Sequence, residues 1–209
     1  MYDLDHMNNE TEYTLPQALL HLLPQNLWPA CIIKHYDKGE QIFPQGKRPE
    51  HMFYVASGEV VLQRPGLQGE NLVLQRARHS FVAEASLQSE SYHCDAVVTI
   101  AGELVMIPVA QVRHALQSDP AFSMRWIAML NRELKRMRAQ CERLSLKGVG
   151  ARLLHLIDSE GNLGRLPLGP GLKSIALELG VTHEALYRGV AELEKQGKLK
   201  RENGQLILL

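Results

Sequence analysis

DPAFSMRWIAMLNRELKRMRAQCERLSLK, residues 119–147, is the longest stretch of the chain that reads as one element. Asp119-Pro120 is a helix start: a carboxylate to accept a free amide hydrogen, then a proline at the first helical position. Beyond it no Gly or Pro occurs until Gly148. Ser123, Ile127, Leu130, Leu134, Met137, Cys141 and Leu144 recur at alternating steps of four and three, the a/d seam of a two-stranded coiled coil over about three heptads. At 1.5 Å per residue the helix is about 40 Å long. A second stripe, Phe122, Trp126 and Met129, occupies only its first half, which is therefore expected to pack on a neighbouring domain as well. The expectation is a dimerisation helix over 119–147. The alternative is a long core helix inside one domain.

The 209 residues suffice for one large or two small domains, and the hydrophobic and charged fractions, 45% and 22%, are those of a soluble globular protein. No apolar run approaches the roughly 20 residues that span a bilayer, and the acidic start Met1-Tyr2-Asp3-Leu4-Asp5 is unlike a signal peptide. A cytoplasmic protein without a membrane partner is expected. Cys31, Cys94 and Cys141 lack Cys-x-x-Cys spacing, which argues against a disulfide framework, a structural zinc site or a four-cysteine cluster. Zero net charge conceals an asymmetry: residues 1–118 carry 8 Lys+Arg against 13 Asp+Glu, and 119–209 carry 15 against 10. A basic half can meet a polyanion.

Working outward, residues 1–14 are polar and without period, and read as a mobile tail. Leu15 to Leu27 reads as a short helix ending near Pro24. Between Ile32 and Pro108, short runs of β-formers alternate with turn residues: Ile32–Tyr36, Gln41–Phe43, Met52–Ala56, Val60–Gln63, Leu72–Arg76, Ala96–Ile100 and Leu104–Ile107. Short strands at close spacing indicate an antiparallel barrel or jelly roll. Gln111–Gln117 reads as a helix feeding the long one. After Gly148-Val149-Gly150, read as a hinge, come helices over Ala151–Ser159, Leu172–Leu179 and His183–Gln196, with Gly180 as a turn and Thr182 as an N-cap. Strands Lys198–Arg201 and Gln205–Leu208 join at Asn203-Gly204, a tight-hairpin dipeptide. Helix, glycine turn, helix and hairpin make a winged helix-turn-helix. The fold class is α+β, divided into tail (1–14), β-roll (15–118), dimerisation helix (119–147) and winged helix-turn-helix (148–209).

This order of parts resembles the Crp/Fnr superfamily of bacterial transcription regulators from about residue 30 to the end. The resemblance is carried by the runs Lys38-Gly39-Glu40-Gln41-Ile42-Phe43-Pro44-Gln45-Gly46 and Phe53-Tyr54-Val55-Ala56-Ser57-Gly58-Glu59-Val60. Two further runs are Phe81-Val82-Ala83-Glu84-Ala85-Ser86-Leu87 and Leu179-Gly180-Val181-Thr182-His183-Glu184-Ala185-Leu186-Tyr187-Arg188. It implies a cyclic-nucleotide-type β-roll, a dimer helix and a DNA-binding domain, hence a homodimer on a near-palindromic operator of double-stranded DNA. A contact with RNA polymerase is expected with it.

Residues near the N-terminus of a second helix in the major groove read bases, and Glu184 and Arg188, four apart, share one face. Arg can donate two bonds to guanine O6 and N7, and Glu can accept from cytosine N4. Both positions match the base readers of the family. His183 and Tyr187 lie beside them and are expected to tune flanking bases. The competing account is an exposed ion pair between Glu184 and Arg188. Lys173, Ser174, Thr182, Lys198, Lys200 and Arg201 are placed to meet phosphates. Gly169-Pro170-Gly171 departs from relatives that place a Thr or Ser N-cap before the first helix.

Relatives that bind cyclic nucleotides carry Gly-Glu-Leu, then about ten residues later an Arg for the phosphate. Here the triplet is Ala83-Glu84-Ala85, and Cys94 and Asp95 stand at the phosphate-binding positions. Cyclic AMP and GMP are not expected. Glu84, His93, Cys94 and Asp95 outline an effector pocket. His93 or Cys94 as an axial haem ligand is a further possibility, set against a packed His and a buried thiol; adjacent strand residues face opposite sides. The expectation is a non-catalytic, homodimeric, sequence-specific regulator with an effector other than a cyclic nucleotide or none. The alternatives are a haem or redox sensor on the same roll and, more remotely, a jelly-roll enzyme. Against the enzyme, no His-x-His metal pair, nucleophile–base constellation or Gly-rich phosphate loop occurs.

Overall fold

The computed structural model describes residues 15–66, 71–168 and 171–209, the side chains of Asn71 and Ser174 excepted. The expected tail 1–14 and Gly169-Pro170 lie outside the described residues. The chain forms two compact units, residues 1–127 and 128–209. Its class is α+β, with antiparallel sheets and one long helix.

In the first unit, helix α1 (Gln17–Leu22) is shorter than expected, because Pro24 lacks the amide that would continue it. The chain resumes as a 3-10 turn over Gln25–Ala30. Eight strands follow: β1 (Ile32–Tyr36), β2 (Gln41–Phe43), β3 (His51–Val55), β4 (Glu59–Pro65), β5 (Asn71–Ala77), β6 (Phe81–Val82), β7 (Asp95–Ile100) and β8 (Gly102–Pro108). They form two antiparallel sheets, in the orders β1-β8-β3-β6 and β2-β7-β4-β5. Strand β6 had no alternating pattern to announce it, being two residues long; it pairs Phe81 with Tyr54 and Val82 with Phe53.

Alternate residues of β7 and most of β8 supply the core, with Ala96, Val98, Leu104, Val105 and Ile107 almost inaccessible. The turns at Ser57-Gly58 and Ala101-Gly102 cross closely. A Cβ on Gly58 would stand 2.5 Å from the Ile100 carbonyl oxygen, and one on Gly102 would stand 2.3 Å from that of Ser57, so neither turn admits a side chain. Beneath them Glu59 is buried and accepts from Thr99 Oγ1 (2.6 Å), Arg76 Nη1 (3.1 Å) and Arg78 Nε (2.8 Å). A buried carboxylate is tolerable only when satisfied in this way.

Helix α2 (Val109–Ser118) leads into α3 (Pro120–Ser145), and Asp119 Oδ1 accepts the Phe122 amide at 3.0 Å, the expected cap. Phe122 and Trp126 are buried, and Trp126 meets Phe81 of β6 edge-on at 5.6 Å. The other stripe is different. Ile127, Leu130, Leu134, Met137 and Leu144 are 39–64% exposed, and Cys141 is exposed too. Ser123 does not join them, since its hydroxyl donates to the Leu116 carbonyl at 2.6 Å.

In the second unit, α4 (Val149–Glu160), α5 (Leu172–Glu178) and α6 (His183–Lys195) enclose an apolar core in which Leu153, Leu179, Leu186 and Val190 are fully buried. Strands β9 (Arg165–Pro167), β10 (Leu199–Glu202) and β11 (Gln205–Leu208) form one sheet, ordered β10-β11-β9. Strand β9, three residues bounded by Gly164 and Leu168, was not expected. The supposed hinge Gly148–Gly150 requires correction: Val149 and Gly150 are the first turn of α4, and the break between helices is confined to Leu146–Gly148.

Candidate nucleic-acid interface

Helix α6 starts where its sequence says it should. Thr182 is extended (φ −70°, ψ 152°), and its Oγ1 accepts the Ala185 amide at 3.1 Å. Before it, Gly180 takes φ +64°, and the Val181 amide bonds back to the Ala176 carbonyl at 3.0 Å. This left-handed residue turns α5 into α6 at low cost only because it is glycine. Leu186, Val190 and Leu193 anchor one face of α6 in the core, which leaves Glu184, Tyr187 and Arg188 exposed on the other.

Among the described residues no hydrogen bond or ion pair engages the side chains of Glu184 or Arg188. The surface ion pair set against base reading is therefore not formed, and both groups keep their hydrogen-bonding capacity. His183 is half-buried and meets Tyr187 edge-on, with ring centroids 4.6 Å apart. That contact fixes the Tyr187 ring next to Arg188 rather than leaving it to sweep solvent.

The cations assigned to phosphates fall into two groups. Lys173 and Lys198 are exposed and, among the described residues, without an ion-pair partner. Lys200 instead pairs with Glu202 at 2.7 Å, and Arg201 grips Glu194 with Nε to Oε1 at 2.8 Å and Nη2 to Oε2 at 2.7 Å. The Arg201 guanidinium holds the Glu194 carboxyl below its ordinary range. Thr182 already spends its acceptor on the cap, and the Ser174 side chain lies outside the described residues.

In the roll, Ala83 adopts φ +70°, ψ 7°, and leads into a 3-10 turn over Glu84–Ser86. His93 Nδ1 lies 3.4 Å from Ser86 Oγ, and burial first, then Arg64, lowers its basicity. Cys94 is 1% exposed; burial raises its thiol, opposed by Arg64 and reinforced by Asp95 and Glu84. A thiol kept protonated is a packing group, not a ready nucleophile or ligand. Asp95 needs correcting as a pocket residue. As the first residue of β7 it accepts from the Gln45 amide (2.7 Å) and Gln41 Nε2 (3.3 Å), so its carboxylate is taken up by β2 and the turn that follows it. Among the described residues no group of three His, Cys, Asp or Glu could hold a metal ion.

Residues 33–119 match the family model described as cyclic nucleotide-binding domain. An uncharacterized protein of Haemophilus influenzae is 30% identical over 127 residues, 58% of this chain and 95% of that one. The global nitrogen regulator of Nostoc sp. is 22% identical over 165 residues, 76% of this chain and 72% of its own. A solved structure of a CooA mutant from Carboxydothermus hydrogenoformans superposes with a TM-score of 0.65 at 20% identity, covering 95% of this chain and 92% of that one. Over residues 33–119 the chain thus matches the cyclic nucleotide-binding domain family, and its fold is that of the CooA structure.

The roll also holds two cations that the sequence did not single out. Arg64 of β4 donates from Nε to the His93 carbonyl at 2.6 Å, beside the position where cyclic-nucleotide-binding Crp/Fnr relatives place their phosphate arginine. Arg113 of α2 donates to the carbonyls of Leu87 and Ser89 and so ties the 3-10 loop to the helix that precedes α3. Neither has a motif. Each is defined only by strands or helices distant in sequence that the fold brings together.

Proposed function

We propose that this protein is a regulator of the Crp/Fnr superfamily, a homodimeric, sequence-specific DNA-binding regulator of transcription. It has no catalytic role, and its effector is not a cyclic nucleotide or is absent. The observation that carries this reading is α6: a capped helix after a glycine turn, buried on one face, with Glu184, Tyr187 and Arg188 presented and unpaired on the other. Arg188 would donate to guanine and Glu184 accept from cytosine. Lys173 and Lys198 supply phosphate contacts, and Lys200 and Arg201 join only by exchanging a carboxylate for a phosphate.

Dimerisation is supported by the exposed seam Ile127, Leu130, Leu134, Met137, Cys141 and Leu144, a continuous apolar stripe on α3. Burying such side chains is worth roughly 1.5–3 kcal/mol each, and a second copy of the same helix offers the matching face. A two-fold dimer would then place two copies of α6 on an inverted repeat. The absence of a cation at position 94 and the burial of Cys94 argue against a bound cyclic phosphate, as does the alanine at position 83.

Fluorescence anisotropy with a labelled promoter duplex tests this. Binding should weaken steeply with salt, as counterion release requires, and millimolar cyclic AMP should leave the affinity unchanged. No binding at low salt would overturn the DNA reading, and a gain in affinity with cyclic AMP would overturn the effector reading.

A further inference from the structure

Two arginines on either side of the break at Leu146–Gly148 have partners that base reading does not use. Arg143, two residues before the end of α3, is 0% exposed. It reaches Glu178 of α5 (Nη1 to Oε1, 3.2 Å), Ser159 of α4 (Nη2 to Oγ, 3.4 Å) and Glu160. Glu160 is also met by Arg136 at 3.7 Å. Arg152, in the first turn of α4, reaches backward. Its Nε donates to the Leu146 carbonyl (3.0 Å), Nη2 to that of Leu144 (3.2 Å) and Nη1 to that of Leu179 (3.1 Å).

The last carbonyls of a helix have no partner inside it and carry the negative end of its dipole. Those of α3 and of α5 converge on the single guanidinium of Arg152. The rigid fork of Arg can serve three acceptors in fixed directions, which a lysine cannot. From the other side, Arg143 joins the same two helices to the end of α4 through carboxylates. The Leu144 side chain completes the joint, lying 3.6 Å from where a Cβ on Gly180 would stand.

We propose that Arg143 and Arg152 are positioning residues that lock the helix-turn-helix onto the end of α3, so that the glycine-flanked break is a fixed corner rather than a free hinge. The orientation of α6 is thereby set by α3 itself. A change along the seam of α3 would be passed to the DNA-reading face without play at residues 146–150. This deepens the proposed DNA-binding function, and only its affinity arm rests on that function.

The test is amide hydrogen exchange, resolved by peptide, on the full chain without DNA, with duplex affinity measured in parallel. In the wild type, peptides over 144–152 should exchange as slowly as those of α4. Arg152→Gln should speed them roughly tenfold or more, with peptides of α6 unchanged. Affinity should fall while the position-by-position base preference stays as in the wild type, because no base contact is removed. Unchanged exchange at the corner overturns the proposal, and so does faster exchange with unchanged affinity. If Arg152→Gln exchanges fast throughout the unit, Arg152→Lys, which keeps the charge but loses the fork, is read in its place by the same criteria. If the wild-type chain binds no DNA, the base-reading function fails, and the exchange result alone decides the lock.

Discussion

Ala83 shows how a single position carries both the resemblance to cyclic-nucleotide-binding relatives and the departure from it. Its φ of +70° lies in the left-handed region, where an L-residue is disfavoured by about 1–2 kcal/mol. The loop keeps the backbone that a glycine would adopt, although the residue is alanine. For Ala83→Gly the relief is offset by about 0.4–1 kcal/mol of added freedom in the unfolded chain and about 0.8 kcal/mol for a buried methyl. The substitution should therefore lie within about 0.5 kcal/mol of neutral in chemical denaturation. At Ala96, buried in β7 without positive φ, the same change should cost about 1.5 kcal/mol. Equal losses at both positions would contradict the strain at Ala83. The alanine was legible in the sequence as a departure. The positive φ, the bonds of Asp95 to Gln41 and Gln45 and the approach of Arg64 were not, since a backbone angle has no motif and the other two join residues 29 or more apart in sequence.

Among the elements, α3 was the most legible, because a cap, an uninterrupted run and a 3.5-residue period all indicate the same helix. Its two stripes differ as their lengths along the helix suggest: Phe122, Trp126 and Met129 are buried in the monomer, and Ile127, Leu130, Leu134, Met137 and Leu144 are not. Replacing Leu130 and Leu134 with Lys should then leave the fold of each chain intact, because both side chains are already exposed, and abolish dimerisation. Sedimentation velocity checks this, with circular dichroism to show the helices retained. Cys141 offers an independent probe. At a seam position in parallel helices it faces its own copy, within the Cα range a disulfide accepts, so mild oxidation should give a covalent dimer that Cys141→Ser removes. A dimer that survives the lysines, or a cross-link through Cys31 or Cys94, would place the interface elsewhere. The shortest elements, β6 and β9, escaped the sequence because two or three residues cannot display a period. The hinge reading of residues 148–150 rested on two glycines, but Gly150 lies inside α4, and the arginines proposed to fix the corner lie five residues before Gly148 and four after it.

For the whole molecule, acid stability should report Glu59. Burial alone would raise its carboxyl, but the Thr99 hydroxyl and the Arg78 and Arg76 guanidiniums outweigh it and leave the group below its ordinary value of 4.5. A carboxyl depressed in the folded state adds stability that is present above the unfolded value and is lost as pH falls through the folded one. Thermal midpoints measured downward from pH 7 should therefore drop below about pH 4.5. In Glu59→Gln that limb should be shallower, from a lower starting midpoint, and an unchanged limb would show that other carboxylates govern it.

The charge of the molecule is also divided, with the excess of Lys and Arg in residues 119–209 where α6 and the wing lie. That division was readable from the sequence, but the neutralisation of Lys200 and Arg201 by Glu202 and Glu194 was not. Base reading by α6 in a two-fold dimer is the central claim, and selection of binding sites from random duplexes tests it most directly. The wild type should enrich an inverted repeat with half-site centres about 10–11 base pairs apart. Arg188→Ala should lose the preference for one guanine per half-site, at a cost of roughly 1–3 kcal/mol each, and keep the rest. Enrichment of no repeat, or an Arg188→Ala profile identical to the wild type, would contradict it.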